Sequence, residues 1–296
     1  MDFTAGKVPF AEMLANYNEA PNLLLYASPF MLLFVGLEFF YSKRKKLGLY
    51  SPKDLKASVG VGAGYLVATA AISMATIFTV WWVYYHLTPG FMLMPVTWWS
   101  FALCMIAYDF ARYWAHRISH EQRFWWASHI THHSSEKYNL TVSFRLCWVD
   151  QVKLIFFLPL MLLGFDPIMF FIVHQIGILY QFWQHCELVK PLPRWIEYIF
   201  VTSWNHRVHH GKNAIYIDKN YGSMFMIWDR MFGTYAEPTE KPVYGVKQPL
   251  SSYNPVYLVF HEYVDIFRDM LAAKTWKDRY KALFGRPGEF QGVEKY

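Results

Sequence analysis

The stretch Ala57 to Tyr85 runs 29 residues without a formal charge. A helix rises about 1.5 Å per residue, so about 20 residues cross a bilayer core of about 30 Å. Two more runs flank this one. Leu23 to Tyr41 carries only Glu38, and Gly90 to Tyr108 has no charge over 19 residues. The spacing predicts three membrane helices, over residues 23–41, 57–85 and 90–115. With 54% hydrophobic and 17% charged residues, the chain has too few charges for an ordinary soluble surface. The expected class is an all-α integral membrane protein forming a single membrane domain over residues 1–296.

A fourth apolar region behaves differently. Val152–Leu163 and Ile168–Trp183 are both short for a span, and "GFDP" (Gly164 to Pro167) between them reads as a turn. These arms predict a helical hairpin over 152–183 that enters the membrane and returns to the same side. Residues 116–150 and 184–250 then form a cap, and 255–285 reads as an amphipathic helix, lying on the membrane face or packed on the cap.

Orientation follows from lysine and arginine asymmetry. "SKRKK" (Ser42 to Lys46), Lys53 and Lys56 crowd the loop between the first two helices, whereas residues 1–22 hold Lys7 against Asp2, Glu12 and Glu19. That loop is expected in the cytoplasm and the N-terminus outside, which places the cap in the cytoplasm. The net charge of +6 suits contact with anionic lipid. Because the basic residues track membrane edges, no nucleic-acid partner is expected. Residues 1–22 lack the pattern of a cleaved signal peptide. Cys104, Cys147 and Cys186 form no CxxC motif, so disulfides are not expected to matter.

Ten of the 12 histidines lie between His116 and His210. "HRISH" gives His116 and His120; "HITHH" gives His129, His132 and His133; "HRVHH" gives His206, His209 and His210. Residues three and four apart share a helix face, so each run can aim its imidazoles at one point. His185, at the end of the hairpin, adds a ninth ligand. His174 lies about 16 Å further along the helix, which suits a satisfied core histidine or a cavity lining. His86 and His261 read as bland. Nine imidazoles exceed what one ion takes and point to two. Imidazole suits iron, copper, nickel or zinc; iron at a membrane edge fits O2 activation with lipid methylenes as the target. Asp109 and Arg112 precede His116 on one helix face, either beside the site or as a snorkelling ion pair. Asp109 or Glu136 is a candidate acceptor for a ligand's second N–H, and Gln181 is a weak ligand or supporting residue.

"DFARYWAHRISH", "WASHITHHSSEKYNL" and "NHRVHHG" resemble the histidine boxes of the fatty acid hydroxylase/sterol desaturase superfamily of membrane non-haem di-iron oxygenases. "THHSSEKYNL", "QFWQHCE" and "SWNHRVHHGKNAIYIDKNYGSMFMIWDRMFGTY" are similar to its alkylglycerol monooxygenase branch and bacterial relatives. The resemblance runs from about residue 100 to 250. It implies two Fe2+ ions ligated by His116, His120, His129, His132, His133, His206, His209 and His210, with His185 matching the additional box. Family members often carry a second histidine four residues earlier; here that position is Gln181. Glu136 and Asn205 match positions around the site, as candidate catalytic residues.

The branch further implies hydroxylation beside an ether oxygen, with tetrahydrobiopterin as electron donor. Ferredoxin or a cytochrome b5-type protein are the other donors considered. A sterol or fatty-acyl desaturase or hydroxylase would share the ligand set. A haem carrier or metal transporter would instead place polar ligands inside the bilayer, whereas these histidines gather at its edge.

Overall fold

The computed structural model describes residues 6–290, so Asp2 lies outside the described residues. Among these there is no β-strand, only an isolated antiparallel bridge between Phe200 and Phe225. Helix α1 (Phe10–Glu19) leads into α2 (Leu23–Lys45), whose N-cap Asn22 accepts the Leu25 N–H. Lys43, Arg44 and Lys45 occupy the last turn of α2, where cations offset the helix dipole. Lys46 closes it in the left-handed conformation. Helix α3 (Pro52–Trp82) starts on a proline, which needs no N–H there. A π-turn, Val83–Leu87, finishes it.

The segments Phe10–Lys45 and Pro52–Leu87 are long and apolar enough to cross a membrane. Leu25, Phe30, Leu33 and Phe34 on α2, and Leu66, Val67 and Met74 on α3, are each more than half exposed. A surface of that kind is satisfied by lipid chains. The third expected span starts late. Gly90–Met92 is a 3-10 turn, and α4 (Trp98–Glu121) begins only at the capping box of Thr97 and Ser100. From its midpoint on, α4 carries Asp109, Arg112, His116 and His120 towards the cap.

Short pieces follow: α5 (Arg123–Ala127), α6 (Ile130–His133), and 3-10 turns at Leu140–Phe144 and Asp150–Phe156. The region expected to form a hairpin has unequal arms. Its first is the second of those turns plus α7 (Leu158–Leu162); its second is the continuous α8 (Pro167–Gln184). Lys153 interrupts the apolar first arm and pairs with Asp150 at 2.6 Å. Gly164 makes the bend with φ 87°, and a Cβ there would sit 1.8 Å from the Met92 carbonyl. Asp166 then caps α8 by accepting from Ile168 and Met169. Gly177 lets α8 approach α4, because any Cβ would meet Tyr108 at 2.8 Å. Tyr108, Phe157, Met161, Phe170 and Val173 form the core between these helices. His174 is satisfied there by the Tyr108 hydroxyl, 2.9 Å away.

The cap continues through α9 (Arg194–Ile199), α10 (Ser203–His209) and α11 (Ile227–Met231). The single amphipathic helix expected over 255–285 is two helices, α12 (Pro255–Ala272) and α13 (Trp276–Phe284). Their inner faces pack on the rest of the protein: Leu258 and Val259 meet Ala57, Val61 and Cys147. Arg123, fully buried in α5, binds Glu262 at 2.7 Å, Asp269 at 2.6 Å and the Ala282 carbonyl at 3.1 Å. Phe267, Leu271, Trp276 and Tyr280 remain exposed on the outer side.

Candidate metal centre

The histidine runs come together where α4 ends. Their ligand atoms fall into two groups, in each of which all atoms lie within 4.8 Å of one another. His116, His120, His129, His133 and His209 make one; His132, His185, His206 and His210 make the other. The two HxxHH runs are therefore divided. His129 and His133 join one group while His132 turns to the other. The second run mirrors this, with His206 and His210 in one group and His209 in the other. A helix turns about 100° per residue, so the first and last histidine of each run share a face and the middle one points aside.

Backbone carbonyls fix several rings. The Nδ1 atoms of His116, His209 and His185 face the carbonyls of Tyr221 at 2.8 Å, Lys219 at 3.0 Å and Gln181 at 3.0 Å. A carbonyl only accepts, so each Nδ1 carries the proton and each Nε2 turns a lone pair inward. Inward they meet other Nε2 atoms: His116 to His129 at 2.9 Å, His209 to His133 at 3.1 Å, and His185 to both His132 and His206 at 3.1 Å. His206 and His210 close the second group at 3.2 Å. Donors at right angles around a cation, with bonds of about 2.1 Å, stand about 3.0 Å apart. The donor set, its tautomers and its spacing thus fit two divalent transition-metal ions. Burial and mutual repulsion hold His132, His133, His206 and His210 far below the usual imidazole range, which keeps them neutral, as ligation needs.

The loop that supplies Tyr221 and Lys219 is itself anchored. Asp229 accepts from the N–H groups of Tyr221 at 2.8 Å and Gly222 at 2.6 Å. Asp109 accepts from Met224 at 2.8 Å, Phe225 at 3.0 Å and the Trp228 indole at 2.9 Å. Asp109 therefore positions the loop whose carbonyl orients His116, rather than taking the imidazole N–H itself. Arg112 does not pair with it; its Nη2 donates to Gln181 Oε1 at 2.9 Å. Gln181 also donates to Ser223 at 2.7 Å, so its side chain braces the ligand loop while its carbonyl orients His185.

The serines of "THHSSE" brace the other side. Ser135 donates to Asp54 at 2.6 Å, and Arg145 donates to Ser134 at 2.7 Å, Asp54 at 2.6 Å and Ser58 at 2.9 Å. This buried pair ties α3 to the "HITHH" run. Glu136 lies on the surface and belongs to neither ligand group. Asn205 is buried but turned from the histidines; its amide donates to the Glu197 carboxylate at 2.8 Å and the Glu197 carbonyl at 3.2 Å, holding α9 against α10. Sequence reasoning missed Asp54, Arg145, Asp229 and the Lys219 and Tyr221 carbonyls. Asp54 and Arg145 are 91 residues apart, and a backbone carbonyl leaves no mark in a sequence.

Comparison with known proteins bears on the same region. Residues 101–234 match the fatty acid hydroxylase family. Alkylglycerol monooxygenase of Homo sapiens is 34% identical over 278 residues, covering 91% of this chain and 60% of that protein. The Danio rerio protein of that name is 32% identical over 95% of this chain and 63% of its own length. Ornithine lipid hydroxylase OlsE of Rhizobium tropici is 30% identical over 46% of this chain and 41% of its own. This chain therefore spans about three fifths of the human and zebrafish relatives. No solved structure matches. The segment that matches the fatty acid hydroxylase family holds every residue of both ligand groups.

Proposed function

We propose that this protein is a membrane-bound, O2-dependent lipid oxygenase whose nine clustered histidines hold two iron ions. The observation that carries the reading is the division of nine inward-facing imidazoles into adjoining groups of five and four. Iron bound there would supply the O2 chemistry needed to oxidise an unactivated C–H bond. The protein's own residues set the conditions. His120, His133, His206, His209 and His210 are each at most 7% exposed, so little of the cage surface meets bulk water. The carbonyls of Tyr221, Lys219 and Gln181 hold the rings of His116, His209 and His185 in one tautomer before substrate arrives.

The lipid chain would lie among α3, α4 and the hairpin. There the side chains that border the packed core of Tyr108, Phe157 and Phe170 would decide which carbon stands nearest the cage. The basic end of α2 supports a cytoplasmic cap, with α4 as the third membrane helix. The names of the relatives point to an O-alkyl glycerol ether as substrate. Hydroxylation beside the ether oxygen would yield a hemiacetal that separates into an aldehyde and glycerol. Tetrahydrobiopterin is the first electron donor to test, ahead of ferredoxin or a cytochrome b5-type protein. Hydroxylation of another polar lipid is the second reading, favoured by the ornithine lipid hydroxylase match.

The test uses membranes carrying the protein, supplied with alkylglycerol, sterol, fatty acid, O2 and tetrahydrobiopterin, with products read by mass spectrometry. Fatty aldehyde from the alkylglycerol, absent in His132→Ala, is expected. Oxygen added to another lipid would keep the oxygenase and replace the substrate. A lipid pool left unoxidised with each of the three donors would overturn the proposal.

A further inference from the structure

Ligands buried this deeply raise a question of supply. A divalent cation does not reach them through hydrocarbon, where an uncompensated charge is far too costly. It has to arrive from water, through the cap. A small pocket with a free volume of about 30 Å³ reaches the cage, touching His120, His133 and His209 of the five-membered group and His210 of the other. A void of about 10–15 Å³ holds one water, so this one suits a partly hydrated ion and is far too small for a lipid or an organic reductant.

Two charged residues share its lining, Asp218 and Lys212. Asp218 Oδ1 stands 3.9 Å from Nδ1 of His120, and the carboxylate, part-buried, has the Tyr221 hydroxyl beside it. Lys212 is tied by its N–H to the Val243 carbonyl at 2.8 Å, so its side chain alone can swing across the opening.

We propose that this pocket is the route by which divalent cations load both ligand groups, with Asp218 as the carboxylate that captures the ion and passes it to His120. The transfer is ligand exchange: water leaves, carboxylate oxygen and then imidazole nitrogen take its place, and no electrons move. Lys212 opposes the incoming charge. The inference rests on the two-metal reading of the histidine groups.

The test follows uptake of Co2+ by the full-length, metal-stripped protein in detergent, through its visible absorption after rapid mixing. Wild-type protein is expected to take up two Co2+ per chain. Asp218→Asn should reach the same final amount at least about fivefold more slowly, and Lys212→Gln should reach it faster, in line with electrostatic steering of a cation. Unchanged rates in both variants would overturn the route. A lower final amount in Asp218→Asn would make Asp218 a resident ligand and overturn its role as a capture group. Wild-type protein that bound no Co2+ would remove the two-metal reading itself. Should Asp218→Asn fail to fold, Lys212→Gln decides the question, because among the described residues its side chain makes no hydrogen bond or ion pair.

Discussion

His133 and His210 lie ring on ring, with centroids 4.4 Å apart and planes 21° from parallel, yet their Nε2 atoms serve different ligand groups. This stack is the seam between the groups. Each HxxHH run contributes on both sides of it, so neither run builds a metal site alone. His185 and His206 lie wholly on one side. Replacing both with alanine is expected to lower bound metal from two ions per chain to one, read by elemental analysis of folded protein. Retention of two ions would show that the groups are not separate sites.

Asp109 is a buried carboxylate holding two backbone N–H groups and one indole N–H of the ligand loop. Asp109→Asn keeps one acceptor and aims an N–H at the remaining donors. Leaving buried donors unsatisfied costs about 1–3 kcal/mol, so the melting midpoint in detergent should fall. Metal should also bind more weakly, because the Tyr221 carbonyl no longer fixes His116. A variant that melted and bound like wild type would contradict this role.

The Asp54–Arg145 pair is at most 3% exposed on either side. Removing one partner of such a pair costs about 3–5 kcal/mol, because the other charge is left buried. Asp54→Ala is therefore expected to be severely destabilised. Ser135→Ala, which removes one hydrogen bond to the same carboxylate, should lose only about 1 kcal/mol. Chemical denaturation curves would rank the two, and equal losses would mean that the ion pair is not what braces the "HITHH" run.

Acid should weaken the metal-stripped protein in a defined window. Burial holds His209 at about 4 in the folded chain, against about 6.5 when unfolded. Between these values the unfolded chain carries the extra proton. Stability is therefore complete above about 6.5 and is lost as pH falls towards 4. His132, His133, His206 and His210 shift the same way, again mainly through burial, and steepen the slope. The melting midpoint of stripped protein should drop between pH 7 and 5, whereas metal-loaded protein resists. A flat profile for the stripped protein would contradict this burial.

Much of this architecture was legible because its signals are local. The charge-free run in α3 and the i, i+3, i+4 spacing of the histidines both follow from helix geometry, and the place of His185 at the hairpin's end made it readable as a ninth member of the cluster. The division of each run between two groups was not legible. It depends on how α6 and α10 face each other, and residues 129–133 and 206–210 are brought together only by the fold. Charge deep in a helix makes Asp109 readable either as an acceptor for an imidazole N–H or as half of a snorkelling pair with Arg112. The actual partners of Asp109, Met224, Phe225 and Trp228, are more than 110 residues away. Glu136 sits beside the ligands in sequence, but α6 has already ended, and the chain turns its side chain outward.

The most direct test is the iron content of protein purified from its membrane without added chelator, together with its Mössbauer spectrum. The two-group cage predicts two irons per chain, close enough to be magnetically coupled. One isolated iron per chain, or nine histidines that hold no transition metal under any loading condition, would contradict it.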